Sequence, residues 1–376
     1  MRSLAVARCV RGIERLVAAE IHEARMGRVR ETRHREVWFE PVEHRDPTGL
    51  RTADDVLLVA AIVDGIGPTR AALPRLSAAA RAVSFSSLES AVRGKPARSA
   101  AHSGAERKDS PVITEMAALG AGGFAGIEVS ASFVGRRNYS RYEIEDAVGH
   151  ELARRARLPY HSRAGGTAPP PGCAAFRVTV EGERAVIGLR VAARPLHRRP
   201  YKTASIPGTL HPPLAAAMAG LARLEGARTV LDPCCGAGTT LIEAASLAPG
   251  ARLLGVDRNP AAVEAARVNG AGCPVTWAVG DAGRLPVPTG GVDRVLVNPP
   301  WGRQVPPAGS LAGDPARLWR ELRRVLVPGG LAVALLHGDD GGVPPGFVRV
   351  GRLEVSLFGR RPALAVLRRA SRGRAG

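Results

Sequence analysis

The side chains whose types and spacing point most directly to a chemical reaction are Asn298, Pro299, Pro300 and Trp301, which are consecutive. They follow the apolar run 292–297, which predicts a strand, so they stand at the carboxyl end of that strand, where α/β sheets bind ligands. The Asn298 side-chain oxygen and the Pro299 carbonyl can accept hydrogen bonds from an exocyclic amine, and Trp301 can stack on its ring. The two prolines restrict the backbone and remove competing N–H donors. The tetrapeptide therefore predicts a site for an amino-bearing heterocycle, and a Pro-Pro turn over a core tryptophan is the alternative.

A strand, a glycine turn and a helix are predicted upstream of this site. Asp232 ends the short apolar strand, and Gly236 and Gly238 let the backbone pass close to a ligand, where a Cβ atom would clash. Thr240 and Glu243 have the spacing of a capping box, which predicts the start of a helix. The pattern is typical of a loop that binds a nucleotide-like cofactor.

Acids at the ends of the next two predicted strands narrow the choice of cofactor. Asp257 is placed to accept hydrogen bonds from ribose hydroxyls, and Asp281 from an adenine amino group. A dinucleotide site expects a third glycine where Leu241 stands, and Asp232 would repel a pyrophosphate, so S-adenosylmethionine is favoured over a nicotinamide cofactor. The predicted cofactor-binding residues are Asp232, Cys235, Gly236, Gly238, Thr239, Thr240, Asp257, Arg258, Asp281, Ala282 and Asn298.

These motifs carry a family resemblance. Residues 232–245 resemble motif I of class I methyltransferases, and residues 298–301 resemble the Asn/Asp-Pro-Pro-aromatic motif of members that methylate amino groups. That family usually has Phe or Tyr where Trp301 stands, which implies a larger stacking pocket here.

The resemblance extends towards the amino terminus. Residues 198–202 with 211–215 are similar to the segment that joins a THUMP domain to its methyltransferase domain. Residues 129–148 resemble a THUMP segment, and residues 11–20 resemble the small ferredoxin-like domain that precedes it. The chain therefore resembles the THUMP-containing tRNA guanosine N2-methyltransferases, which modify position 6 near the acceptor stem.

This resemblance implies direct methyl transfer to the exocyclic N2 of a guanosine in tRNA. Asn298 and Pro299 would aim the nitrogen lone pair at the methyl group, and Trp301 would clamp a base taken out of its stack. Asn298, Pro299, Pro300 and Trp301 are thus the predicted catalytic residues. The THUMP domain would grip the 3′ CCA end. The predicted RNA-binding residues are Arg136, Arg137, Tyr139, Arg141, Arg198, Arg199 and Lys202.

Three other functions stay open. A ribosomal RNA guanine N2-methyltransferase would share the motif and similar appended domains. DNA adenine and protein glutamine methyltransferases also use Asn-Pro-Pro-aromatic, although the THUMP-like half argues against both. A non-catalytic RNA-binding protein with a vestigial methyltransferase fold is the remaining alternative.

Composition agrees with a nucleic-acid partner. The chain has 376 residues, is 45% hydrophobic and carries a net charge of +19, a balance that polyphosphate partners favour. Among its 53 basic residues only Lys95, Lys108 and Lys202 are lysines, a skew that also fits a GC-rich genome, to which we assign about half of the basicity. Because aromatic residues are few, backbone and shape contacts should dominate RNA binding.

The predicted fold class is α/β, with four parts along the chain. Residues 1–62 form a ferredoxin-like domain, 63–195 a THUMP α+β domain, 196–212 a linker and 213–376 a Rossmann-like class I methyltransferase domain with a seven-stranded sheet whose last strand is antiparallel. The Arg-, Ser-, Ala- and Gly-rich stretch 93–111 is predicted to be a disordered insertion.

The five cysteines contain no Cys-x-x-Cys pair, so no metal site is expected. Cys234 and Cys235 are interpreted as small side chains that fill the glycine turn rather than as nucleophiles. No run approaches the length of a membrane span, and the start lacks the apolar core of a signal peptide, so we expect a cytoplasmic protein. We also expect it to be a monomer.

Overall fold

The computed structural model describes residues 3–42, 45–86, 88, 123–300, 305–337, 342–357 and 359–371. These residues form two compact units. The first contains Met1–Arg8, Ala18–Leu50 and Asp55–Leu196, and the second contains Cys9–Val17, Arg51–Asp54 and His197–Gly376. The predicted insertion 93–111 and the predicted catalytic residue Trp301 lie outside the described residues.

The first unit is built on one seven-stranded sheet of order β2-β3-β1-β4-β7-β6-β5. All neighbouring strands are antiparallel except the parallel pair β5 and β6. The pairing of β4 with β7 joins strands from both predicted amino-terminal domains in a single sheet, while the boundary at residue 62 stays a prediction. The strands are β1 Ala5–Arg8, β2 Gly27–Arg33, β3 Glu36–Pro41, β4 Asp55–Val63, β5 Gly126–Phe133, β6 Cys173–Glu181 and β7 Arg184–Arg190.

Three described helices accompany these strands in the sequence, namely α1 Glu14–Glu23, α2 Leu73–Arg81 and α3 Arg141–Ala156. An amphipathic pattern over residues 14–23 predicts a helix, and α1 has these bounds. Periodicity predicts a helix over residues 143–155. Helix α3 begins two residues before that start because Ser140 and Glu143 form a capping box with each other's backbone N–H groups.

The second unit is an α/β sheet of order β10-β9-β8-β11-β12-β14-β13. Strands β8 to β12 are parallel, and β14 is antiparallel to both β12 and β13. The predicted seven strands and the antiparallel last strand are confirmed. The elements are α4 Pro212–Leu221, β8 Thr229–Asp232, α5 Thr239–Ala245, β9 Arg252–Asp257, α6 Pro260–Asn269, β10 Val275–Val279, β11 Val292–Val297, α7 Ser310–Gly313, α8 Ala316–Val325, β12 Leu326–Leu336, β13 Phe347–Glu354 and β14 Ala363–Arg369.

The order of the strands reverses between β8 and β11 in this unit. In open α/β sheets, such a reversal marks a crevice for ligands at the carboxyl ends of the two strands. Local signals hold the flanking helices in place: Asn259 caps α6 by accepting from the Ala261 N–H at 3.0 Å, Pro260 occupies its first turn, and Gly270 follows its last residue. No described helix combines the length and apolar composition that crossing a membrane requires.

The predicted capping box at Thr240 and Glu243 is wrong. Helix α5 already begins at Thr239, with Gly238 in the left-handed region at its N-cap and no side-chain cap. The Thr240 hydroxyl donates to Asp232 instead, and the Glu243 carboxylate is fully buried among partners distant in sequence.

Candidate active site

A cavity of about 790 Å³ opens at the carboxyl edge of the second sheet. Its walls come from the turn after β8, the ends of β9 and β11, and residues 206–211 of the predicted linker. Except for Gly238 and the undescribed Trp301, the predicted cofactor-binding and catalytic residues all line this cavity. Strands scattered along the sequence therefore bring these side chains together.

Asp232 forms the buried base of the glycine turn. One carboxylate oxygen accepts from the Cys234 N–H at 3.0 Å, and the other accepts from the Thr240 hydroxyl. Burial raises the pKa of Asp232 to about 7. A cationic ligand group beside it would favour the charged carboxylate, which suits the ammonium of a bound amino acid.

Asp257 fixes the position of the same turn from the next strand. Its Oδ2 accepts from the Gly236 N–H and its Oδ1 from the Asn259 N–H, each at 2.9 Å. The Cys235 N–H also donates to the Val256 carbonyl at 3.0 Å. Because each carboxylate oxygen can accept two hydrogen bonds, Asp257 can hold the turn and still receive a ribose hydroxyl.

Asp281 binds the chain that closes the far side of the cavity. It accepts from the Gly283 N–H at 2.8 Å, the Ser310 N–H at 2.9 Å and the Ser310 hydroxyl at 2.6 Å. Burial alone would raise the pKa of Asp281, but the hydrogen bonds from Ser310 and Gly283 and the charge of Arg258 outweigh it and lower the pKa. Asp281 therefore stays ionised and orders the start of α7.

At position 238 the glycine turn cannot carry a residue larger than glycine. The φ of Gly238 is +84°, and a Cβ atom there would lie 2.7 Å from the Trp277 ring. Trp277 similarly fills the Cβ positions of Gly255 and Gly270, at 2.4 and 3.0 Å. The indole thus supports the cofactor turn from behind, which gives Gly238 a packing role although it does not line the cavity.

Gly238→Ala is expected to destabilise the protein by about 1–3 kcal/mol more than Gly250→Ala does. Gly250 is the matched control because its φ is +87° and nothing lies within 4 Å of its Cβ position. Both variants carry the left-handed strain of about 1–2 kcal/mol, so the difference isolates the clash with Trp277. Equal midpoints in urea denaturation would contradict the packing role.

Asn298, Pro299 and Pro300 follow β11 and line the cavity. The Asn298 Nδ2 donates to the Gly208 carbonyl at 3.4 Å. This contact orients the amide so that its oxygen is the atom suited to accept from a ligand amine. Gly208 belongs to the predicted linker, which sequence reasoning had not assigned to the site.

Asn269 is a second residue that the sequence did not single out. It is buried at the end of α6, where its Oδ1 accepts from the Thr203 and Ala204 N–H groups at 3.0 and 2.8 Å. Its Nδ2 donates to the carbonyls of Ala204 and Ala237 at 2.9 and 3.0 Å. One side chain therefore joins the linker to the glycine turn.

Glu243 anchors another part of the linker and the segment 51–54. Its carboxylate accepts from the Arg51 Nε at 2.7 Å, the Arg199 Nε at 2.9 Å and the Tyr201 hydroxyl at 2.6 Å. Arg199, predicted to bind RNA, is thus held in a buried ion pair whose side chains are 8% and 0% exposed. It stabilises the cofactor helix α5 rather than presenting a free charge.

Two of the other predicted RNA-binding residues are also engaged within the protein. Arg137 donates to the carbonyls of Ile66 and Gly67 and to the Tyr139 hydroxyl, at 2.8–3.0 Å. Tyr139 is 3% exposed, so its ring offers no stacking surface. Lys202 is partly buried, and burial lowers its pKa. Arg136, Arg141 and Arg198 are exposed, and RNA binding by them stays a prediction.

The adjacent cysteines of the turn are expected to resist alkylation in the folded protein. Burial, followed by the charges of Asp232 and Asp257, raises the pKa of both Cys234 and Cys235, so little thiolate forms at pH 8. Iodoacetamide treatment with peptide mass spectrometry should label both thiols only after unfolding in urea. Fast labelling of the folded protein would instead indicate an activated nucleophile.

The cavity suits S-adenosylmethionine by its own chemistry. Thr239 lines the cavity, and its buried hydroxyl has no hydrogen-bond partner, which a ligand carboxylate would supply. It lies in the first turn of α5, where N–H groups favour an anion. Among the described residues, no group of His, Cys, Asp and Glu side chains is arranged to hold a metal ion. The fold and the site together define a class I methyltransferase that uses S-adenosylmethionine.

Comparison with known proteins agrees with the assignment to the methyltransferases. The family model for the RMKL-like methyltransferase domain matches residues 199–341. The tRNA (guanine(6)-N2)-methyltransferase of Thermus thermophilus is 33% identical over 258 residues, which cover 66% of this chain and 73% of that protein. The chain belongs to the methyltransferase family of that enzyme, as its motifs predicted.

Two further comparisons extend this result. The crystal structure of TrmN from Thermus thermophilus matches with a TM-score of 0.72 and 26% identity, over 98% of this chain and 99% of that one. The U6 snRNA (guanine-N(2))-methyltransferase THUMPD2 of Bos taurus is 35% identical over 159 residues, which cover 41% of this chain and 30% of that protein.

Proposed function

We propose that this enzyme methylates the exocyclic N2 of a guanosine in tRNA, with position 6 in the acceptor stem as the target. The observation that carries the proposal is that Asn298, Pro299 and Pro300 line the same cavity as the three cofactor-side acids. A relative that is 33% identical bears the name of a tRNA (guanine(6)-N2)-methyltransferase, which supports both the atom and the substrate.

Positioning is the main task of the protein in this reaction. S-adenosylmethionine supplies an already activated methyl group. The Asn298 side-chain oxygen and the Pro299 carbonyl accept the two amino hydrogens of guanine, which draws N2 towards tetrahedral geometry and aims its lone pair. Gly208 holds the Asn298 amide in the required orientation. No base needs to act before the attack, because the nitrogen can lose its proton afterwards. Trp301 is assigned the stacking contact with the flipped base.

The proposed cofactor contacts follow the acids of the cavity. Asp257 receives the ribose hydroxyls, Asp281 faces the adenine amino group, and Asp232 faces the methionine ammonium. The partnerless Thr239 hydroxyl supports a contact with the methionine carboxylate. Arg258 and Ala282 complete the wall near the adenine.

The first compact unit is proposed to select the RNA. In this proposal residues 63–195 act as a THUMP domain that grips the 3′ CCA end, after a ferredoxin-like region in residues 1–62. The exposed side chains of Arg136 and Arg141 support this role. The enzyme is proposed to act as a cytoplasmic monomer, in which one chain measures the distance from the 3′ end to the target.

The test is methyl transfer from labelled S-adenosylmethionine to deacylated tRNA, ribosomal RNA and DNA in parallel, with mass spectrometry of the product nucleosides. We expect N2-methylguanosine in tRNA, and its loss when the 3′-terminal CCA is trimmed. Label in ribosomal RNA alone would keep the chemistry and overturn the substrate. Absence of label in every pool would contradict the proposed function.

A further inference from the structure

The turn between the last two strands is closed and reaches the catalytic cavity. Leu357 and Arg360 exchange backbone hydrogen bonds of 3.0 and 2.8 Å, and both residues line the cavity. The Val355 N–H donates to the Pro362 carbonyl at 2.9 Å, which closes the strands below the turn. Arg360 therefore projects from a backbone that is fixed beside the site.

The segment 9–17, which belongs to the same compact unit, secures the base of this turn. The Ser356 N–H donates to the Arg11 carbonyl at 3.0 Å. Gly12 has a φ of +103°, and a Cβ atom there would lie 1.9 Å from the Glu354 carbonyl oxygen. Only glycine permits this approach, so the segment holds the strand that leads into the turn.

The cationic side chains at the cavity differ in whether an acidic side chain lies beside them. Arg258 lies beside Asp281, and the His211 Nε2 is 2.6 Å from the Asp54 carboxylate. Arg360 and the adjacent Arg361 are both exposed, and within the described part of the chain neither guanidinium has a hydrogen-bond or acidic partner. An incoming anion would not need to displace an existing ion pair at these two residues.

The acidic side chains of the cavity create a need for a cationic group that binds phosphate. The floor carries the acids Asp232, Asp257 and Asp281, which repel the phosphates of any nucleotide inserted above them. The described residues from 342 onwards are strongly basic. Their charged side chains are Arg349, Arg352, Glu354, Arg360, Arg361, Arg368 and Arg369.

We propose that Arg360 and Arg361 bind the phosphodiester backbone of the RNA next to the guanosine that enters the cavity. The inference rests on the proposed function, since it needs an RNA substrate. Guanidinium groups bind phosphate in a bidentate way that fixes orientation as well as distance. The two arginines therefore offset the repulsion from the acidic floor and hold the flipped nucleotide over the methyl donor.

The same hairpin supplies matched control residues. Ala363, at the turn end of β14, pairs with Leu336 at the carboxyl end of β12, whereas Arg368 lies towards the opposite end of β14 and pairs with Leu331 in the middle of β12. Arg349 lies at that opposite end too, where it pairs with Leu367. Arg349 and Arg368 are exposed, do not line the cavity, and have no hydrogen-bond or acidic partner among the described residues.

The experiment compares Arg360→Ala/Arg361→Ala with Arg349→Ala/Arg368→Ala in tRNA methylation at several salt concentrations. For the turn variant we expect the KM for tRNA to rise about tenfold, and the slope of log affinity against log salt to fall by roughly 0.7–0.9 for each lost phosphate contact. The affinity for S-adenosylmethionine, measured by calorimetry, should not change. The control variant should match the wild type.

Two outcomes would overturn the inference, and they can be told apart. Unchanged KM and salt slope in the turn variant, with an active wild type, would remove the role of Arg360 and Arg361 and leave the proposed function intact. A wild-type enzyme that binds S-adenosylmethionine but methylates no RNA would remove both. Equal weakening by the control variant would show a diffuse charge effect and would also contradict the inference.

Discussion

Asn298→Ala is expected to lower the rate of methyl transfer by a factor of about 10²–10³, while the Kd for S-adenosylmethionine stays within about threefold. In the proposed mechanism the side-chain oxygen is the acceptor that aligns the guanine amine, and its loss would leave the reactive nitrogen free to rotate away from the methyl group. The cofactor would keep its contacts with the turn after β8 and with Asp257, since these do not depend on the Asn298 side chain. Single-turnover kinetics and calorimetry measure the two quantities separately.

Two further variants test whether the loss of rate comes from the acceptor oxygen of Asn298. Asn298→Asp keeps an acceptor oxygen and the family pattern but loses the donor to the Gly208 carbonyl, so we expect partial activity. Asn138→Ala changes an exposed asparagine of the first unit and should leave the rate unchanged. Near-normal turnover in Asn298→Ala would defeat the proposed alignment of the amine.

Glu243→Gln is expected to lower the free energy of unfolding by about 3–5 kcal/mol, the cost of breaking a buried ion pair from one side. The carboxylate is fully buried and receives two guanidinium groups and one hydroxyl. A neutral amide would leave Arg199 charged in a site that is 8% exposed. Urea denaturation, followed by circular dichroism and by loss of S-adenosylmethionine binding, measures the change and assigns it to the second unit.

Glu264→Gln provides the control for this expectation. Glu264 forms an exposed pair with Arg267 at 3.5 Å, three residues along α6. Such surface pairs contribute at most about 1 kcal/mol. If both variants lowered the free energy of unfolding equally, the buried network around Glu243 would not be the main tie between α5 and the linker.

The sequence by itself determined the architecture of the second unit and most of the wall of its cavity. Apolar runs that end in Asp232, Asp257 and Asn298 were recognisable because each strand and the turn that follows it are encoded by adjacent residues. Parallel strands bring their carboxyl ends to one edge of the sheet, so the acids had to meet. The sequence also predicts Asn259 as the N-cap of α6, because a cap is encoded next to the helix that it starts.

The tertiary structure alone decided which charged side chains remain available to bind RNA. Arg137 and Arg199 were indistinguishable from exposed arginines in the sequence, yet backbone carbonyls engage the first and Glu243 engages the second. The assignment of segments 9–17 and 51–54 to the second unit was equally hidden. These outcomes depend on partners up to 192 residues apart. Periodicity and spacing describe only residues that are close in the sequence. A buried ion pair instead forms where the fold brings two opposite charges together away from water, and these can be far apart in the sequence.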